Sequence, residues 1–133
     1  MLIMIGVVIS PPEVTSVCSG GQLELTCTVP GTFLEWSFFL VPEGETMARR
    51  FFRTIHLESA TSDLEVNSLT FTFSIISADG SQPLVSRLLI APVSDGLNGT
   101  EVNCTDILAS NTSSTHIKVI NESTMISSES LVY

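Results

Sequence analysis

The fold is decided by residues 22–40, which read QLELTCTVPGTFLEWSFFL. Every second residue is apolar on both sides of the Pro-Gly pair at positions 30 and 31, first around Cys27 and then around Trp36. This period of two predicts β-strands at residues 22–29 and 33–40, each with one buried face. The Pro-Gly pair favours a turn between them. Cys27 and Trp36 are therefore both expected to point into a core.

The same alternation continues outward from this stretch. It predicts further strands at residues 13–17, 47–56, 68–76, 84–91, 100–107 and 115–120, with turns at 19–21, 42–45, 78–82, 94–98 and 111–114. Cys104 falls on the inward face of the strand at 100–107, 77 residues after Cys27. The sequence carries no helical period and no internal repeat. The chain is therefore predicted to be all-β.

The order and spacing of Cys27, Trp36 and Cys104 resemble the immunoglobulin superfamily. The resemblance implies an immunoglobulin-like β-sandwich of two antiparallel sheets, of the variable or intermediate type. It also implies a disulfide between Cys27 and Cys104 that joins the sheets, with Trp36 packed against it. The chain departs from the family at Val102, where a tyrosine is usual two residues before the second cysteine.

Three segments are predicted along the 133 residues. Residues 1–10 form an apolar segment that matches a signal-peptide core truncated at its start, or else the first strand of the sandwich or a piece of an upstream segment. Residues 11–121 form the immunoglobulin-like domain and residues 122–133 a Ser-rich tail. No stretch near the carboxyl end is apolar enough to anchor the chain, so membrane attachment is expected only through segments outside this sequence.

Charge and residue types argue against several classes of function. The net charge is −9 with only five basic residues, which disfavours nucleic acid as a partner. His56 and His116 have no metal-ligand spacing to other residues, and the serines match no nucleophile motif. The chain is therefore predicted not to be an enzyme and to hold neither a metal nor a cofactor.

Four sequons of the N-x-S/T type begin at Asn98, Asn103, Asn111 and Asn121. Together with the expected disulfide they indicate an extracellular protein, either secreted or at the cell surface. Asn98 and Asn111 fall on predicted turns, which suits a glycosylation site. Asn103 is expected to be less occupied because its neighbour Cys104 is committed to the disulfide.

Cys18 is left over from the expected pair. It lies at the end of the first predicted strand, one residue before the turn at 19–21. An odd cysteine in an oxidising compartment suggests a bridge to a cysteine outside this chain. The alternative is a free and partly buried thiol, since an unpaired cysteine packs as a small apolar side chain.

A binding face is predicted on the strand that carries Trp36. Phe33 and Phe39 point away from the Trp36 side and are expected to face outward. With Phe51 or Phe52 of the next strand they are predicted to form an exposed aromatic patch, the kind of surface that marks a contact site. The alternative is that the following hairpin folds over them.

These features leave three candidate functions. The first is an extracellular recognition or adhesion module, part of a cell-surface receptor or secreted glycoprotein, whose partner is a protein ligand or another immunoglobulin-like domain. The second is a structural spacer domain without a ligand of its own, which would lack an exposed apolar patch. The third is a secreted β-sandwich enzyme, which would need titratable residues converging in a cleft.

Overall fold

The computed structural model describes residues 6–11, 13–77 and 83–120. In this part of the chain the secondary structure is β-strand apart from one 3₁₀ helix at Asp95–Leu97. The strands are β1 Val8–Ser10, β2 Glu13–Cys18, β3 Leu23–Val29, β4 Phe33–Leu40, β5 Arg49–His56, β6 Ser62–Val66, β7 Leu69–Ile75, β8 Leu84–Ala91, β9 Glu101–Asp106 and β10 Asn111–Ile120.

The strands form two five-stranded sheets that pack face to face. The back sheet has the order β1-β3-β8-β7-β6 and the front sheet the order β2-β10-β9-β4-β5. Neighbouring strands are antiparallel except for β2 and β10, which run parallel. The central strands reproduce the B-E-D and G-F-C orders of the immunoglobulin fold. The predicted all-β, immunoglobulin-like sandwich is confirmed.

The core follows from the alternation that the sequence predicted. Leu23, Leu25, Cys27 and Val29 of β3 are buried, and they face buried residues of the front sheet. The predicted bridge between Cys27 and Cys104 is present, with a Cα–Cα distance of 6.5 Å and both residues 0% exposed. Cross-linking two positions 77 residues apart restricts the unfolded chain and stabilises the fold by about 4–5 kcal/mol.

Trp36 is fully buried beside the bridge. It lies directly opposite Cys104 in the pairing of β4 with β9. A buried indole needs a partner for its N–H group, and here Nε1 donates to Ser86 Oγ on the back sheet at 3.0 Å. The Ser86 hydroxyl in turn donates to the Ser74 carbonyl oxygen at 2.8 Å. The core is thus tied across both sheets by the disulfide and by this polar link.

The amino-terminal segment contributes one strand to each sheet. β1 pairs antiparallel with β3, where Ile9 lies opposite Cys27 and is 2% exposed. After Pro11 the chain enters β2, which pairs with β10 in the front sheet. Residues 8–10 thus belong to the sandwich, as the first-strand alternative describes, and the predicted start at residue 11 falls inside the fold. Residues 1–5 lie outside the described residues, as do 121–133, which include the predicted tail.

Strand β6 is not among the predicted strands. It forms a hairpin with β7 through Asn67 and Ser68, which both have positive φ, at 54° and 65°. A two-residue turn of this kind matches the twist of an antiparallel pair. The sequence does not indicate this strand because it contains Asp63 and Glu65, and acidic residues are depleted in β-strands.

The predicted turn at residues 111–114 is wrong, because these residues form the first part of β10. The turn that precedes β10 lies at residues 107–110 and ends at Ser110, whose φ is +57°. Some of the polar residues of this strand are exposed and pair with polar residues of β9. The Thr112 and Thr105 hydroxyls, for example, lie 2.9 Å apart. The predicted turn at 78–82 lies outside the described residues.

Candidate protein-binding face

Aromatic side chains project from the outer surface of the front sheet. Phe33 and Phe39 of β4 alternate with the buried Trp36 and are 39% and 53% exposed, and Phe52 of β5 is 53% exposed. Phe51 lies on the opposite side of β5, where its ring stacks on the buried Phe38 with centroids 5.9 Å apart. Phe51 is therefore not part of the exposed surface. We call Phe33, Phe39 and Phe52 the aromatic face.

The pairing of β4 with β5 sets the layout of the aromatic face. Phe33 lies opposite His56, and the two rings are tilted with centroids 5.8 Å apart. Phe52 lies opposite Ser37, two positions along the same hairpin from Phe39. The small Ser37 side chain leaves the Phe52 ring open to solvent. β5 is also the edge strand of its sheet, so its outer edge is unpaired in the described part of the fold.

Arg50 holds a position across the aromatic face. Its guanidinium lies 4.8 Å from the centroid of the Phe52 ring, and it forms an ion pair with Glu35 on β4. A cation over an aromatic ring is attracted to the negative face of that ring. The side chains of Arg50 and Glu35 are 43% and 22% exposed, so solvent screens their pair. The charged pair thus lies among the aromatic residues of the face.

The half of the front sheet formed by β9 and β10 is polar. Asn103 Oδ1 accepts a hydrogen bond from the Ser114 hydroxyl, and Asn103 lies opposite Ser37 in the pairing of β9 with β4. His116 Nε2 and a Glu101 carboxylate oxygen lie 3.4 Å apart on the open surface. The front sheet therefore presents an aromatic half next to a half that offers hydrogen-bonding groups.

The outer surface of the back sheet differs from this pattern. Its central strands present Thr26, Thr72 and Arg87, which alternate with the buried core residues. Among its exposed large apolar residues is Val8 on the edge strand β1, which is 52% exposed. Exposed aromatic rings are thus confined to the front sheet among the residues that the structure describes.

The predicted glycosylation sites lie in three different environments. Asn98 is exposed and follows the 3₁₀ helix, and its Oδ1 accepts the Val119 N–H at 2.9 Å. Asn111 is exposed at the start of β10, on a strand and not on the predicted turn. Asn103 is half-buried in the middle of the front sheet. Asn121 lies outside the described residues. Their occupancy by sugar stays a prediction.

Cys18 is half-buried at the end of β2, opposite Ile120 on β10. Since Cys27 and Cys104 are bonded to each other, the chain contains no further cysteine with which it can pair. Both the bridge to an outside cysteine and the free thiol are compatible with this position.

Two contributors to the face and the core were not singled out from the sequence. Ser86 supplies the acceptor for the Trp36 indole, and Arg50 overlies Phe52. The period of two does place Arg50 on the same side of β5 as Phe52, which is a usable signal. Nothing in the sequence links Ser86 to Trp36, because that contact joins strands 50 residues apart in different sheets.

Residues 6–11, 13–77 and 83–120 contain no cluster of three or more side chains suited to holding a metal ion, and no helix of a length and apolarity that would cross a bilayer. Comparison of the sequence with known protein families finds no family that matches it, and comparison with curated proteins finds no relative.

Proposed function

We propose that this chain is a recognition or adhesion module of the immunoglobulin superfamily that acts outside the cell, in a cell-surface receptor or a secreted glycoprotein. Its aromatic face binds a protein ligand or another immunoglobulin-like domain, and it performs no catalysis and needs no cofactor. The observation that carries this proposal is the exposure of Phe39 and Phe52, each 53%, on one face of the front sheet.

The energetics of burial support a binding role for these rings. Exposed aromatic side chains grouped on one surface leave apolar area in water that a partner would cover. Aromatic residues and arginine are enriched among the residues that dominate interface energies. Arg50, which lies over Phe52 and pairs with Glu35, would contribute a charged group inside such a contact.

The disulfide supports the proposed location. Bonds of this kind persist in oxidising compartments and are reduced in the cytosol. The Cys27–Cys104 bond is fully buried in the core, so the fold would lose a main constraint in a reducing environment.

A spacer domain is the second candidate function, and one observation favours it. Asn103 begins a sequon in the middle of the front sheet and is opposite Ser37 on β4. A sugar attached there would lie over the sheet next to Phe52 and would obstruct a protein partner. An occupied Asn103 in the secreted protein would therefore favour the spacer.

The test uses the chain secreted from mammalian cells and fused to a pentamerising tag, which raises the avidity of a weak contact. Its binding to a panel of cell types is measured by flow cytometry for the wild type, Phe52→Ser and Val8→Ser. Val8 is a matched control because it is 52% exposed on the back sheet. We expect Phe52→Ser to weaken binding by about 30-fold, the loss typical of a hot spot, and Val8→Ser to leave it unchanged. Equal binding by all three proteins would contradict the proposal.

A further inference from the structure

A shallow groove lies at one end of the front sheet. It runs between the end of β4, the start of β5 and the loop that carries the 3₁₀ helix. Its lining includes Phe39, Val41, Ala48, Gly96, Asn98 and Thr100. The groove therefore brings together an exposed aromatic ring and the acceptor residue of a sequon.

The Asn98 side chain is held in place on the protein surface. Its Oδ1 accepts the Val119 N–H at 2.9 Å, which leaves Nδ2 as the atom to which a sugar attaches. The next residue, Gly99, has a φ of +83°, a conformation that residues with a Cβ rarely adopt. Gly96 and Gly99 carry no side chain, so no side chain of theirs separates Asn98 from the groove.

The apolar part of the groove offers an aromatic ring and an aliphatic side chain, which suit contact with the C–H face of a sugar. Phe39 is 53% exposed and Val41 is 47% exposed. One face of an N-acetylglucosamine ring consists of C–H bonds, whose positive hydrogens are attracted to the negative face of an aromatic ring. A sugar linked to Asn98 would reach this surface without the entropic cost of association between separate molecules.

We propose that the first N-acetylglucosamine on Asn98 packs its C–H face against Phe39 in this groove. This inference rests on the extracellular location in the proposed function, because the sugar is added only in the secretory pathway. It also refines the binding face, since Phe39 becomes covered by the glycan. The protein partner then contacts the remaining aromatic residues of the face, Phe33 and Phe52.

The experiment uses a secreted chain in which Asn98 begins the only sequon. The other three sequons are removed without changing their asparagines, by the substitutions Thr105→Val, Ser113→Ala and Ser123→Ala. The chain is made with high-mannose glycans and divided into two samples. An endoglycosidase leaves a single N-acetylglucosamine on the first sample, and an amidase removes the whole glycan from the second. Thermal unfolding is compared for both samples, in the wild-type background and in Phe39→Ser.

We expect the sample with one sugar to melt about 2–5 °C above the sugar-free sample in the wild-type background, and the difference to disappear in Phe39→Ser. Removal of the glycan converts Asn98 to aspartate, and the Phe39→Ser pair controls for the added charge. Phe52→Ser serves as a matched aromatic control that should retain the difference. A difference of equal size in the Phe39 and Phe39→Ser backgrounds, or none in either, would overturn the inference.

A second measurement needs no substitution at Phe39. The proton NMR signals of the sugar C–H groups should shift upfield in the folded glycoprotein, because they lie over an aromatic ring. Unshifted signals would overturn the inference. A chain that is secreted with Asn98 unoccupied overturns this inference alone, whereas a chain that the secretory pathway does not export contradicts the proposed function itself.

Discussion

The indole Nε1 of Trp36 donates a hydrogen bond to Ser86 Oγ across 3.0 Å, and this bond joins the two sheets at the centre of the core. Both residues are 0% exposed. Ser86 passes the link on to the Ser74 carbonyl oxygen. Because both the Trp36 N–H and the Ser86 hydroxyl have an acceptor, the only tryptophan of the sequence is buried completely without an unpaired N–H group.

Loss of this link should be costly. Ser86→Ala leaves the Trp36 N–H buried without an acceptor, and we expect it to lower the free energy of unfolding by about 1–3 kcal/mol. Ser16→Ala removes a hydroxyl from an exposed position of β2 and should change it by less than about 0.5 kcal/mol. Urea unfolding followed by Trp36 fluorescence measures both. A Ser86→Ala effect no larger than that of Ser16→Ala would contradict the role given to the link.

The disulfide should supply a large part of the stability. Replacing Cys27 and Cys104 together by alanine should lower the free energy of unfolding by about 4–5 kcal/mol, because the unfolded chain regains the freedom of a long loop. Chemical denaturation of the variant and of the oxidised wild type measures the difference. Cys18→Ser is the control and should unfold like the wild type, since Cys18 is outside this bond. Equal stability of the double variant and the wild type would show that the bridge is dispensable.

Gly31 occupies a position where a side chain would be in close contact with Asp106. A Cβ at this residue would lie 3.1 Å from both carboxylate oxygens of Asp106, which is itself 2% exposed. We expect Gly31→Ala to destabilise the fold by about 1–2 kcal/mol through overpacking. Gly6→Ala is the matched control, because a Cβ there meets nothing within 4 Å. Thermal unfolding of the two variants should separate them, and equal melting temperatures would refute the steric argument.

Glycosylation should differ among the sites. In the chain secreted from mammalian cells, we expect sugar on the exposed Asn98 and Asn111, and little on Asn103, whose sequon contains the disulfide-bonded Cys104. Peptide mapping after enzymatic removal of glycans reports each occupied asparagine as an aspartate. Unmodified peptides at both Asn98 and Asn111 would contradict the secretory location.

The fold was predictable because its signal is local. Alternation around Cys27 and Trp36 identifies β3 and β4 and their buried faces, and the family resemblance supplies the pairing with Cys104. Strand β6 was not predicted because its acidic residues argue against a strand. The hairpin that stabilises it depends on backbone geometry at Asn67. Local propensity was overridden there by pairing with β7.

The candidate face was predictable only in part. The period of two identifies Phe33 and Phe39 as outward residues, and both are exposed. It does not by itself decide between Phe51 and Phe52, because that choice depends on the register between β4 and β5. Alternation does place Arg50 on the same side of β5 as Phe52, but the position of the guanidinium over the ring depends on side-chain conformation, which the pattern does not contain.

A contact between the aromatic face and a protein partner outside the cell can be trapped covalently. The most direct measurement replaces Phe52 with the photo-crosslinker p-benzoylphenylalanine, illuminates the chain on living cells, and identifies covalent adducts by mass spectrometry. The same crosslinker at Val8, equally exposed on the back sheet, is the control. We expect one dominant protein adduct from position 52 that excess unlabelled chain competes away, and no such adduct from position 8. Matching adducts from both positions, or none from position 52, would contradict this contact.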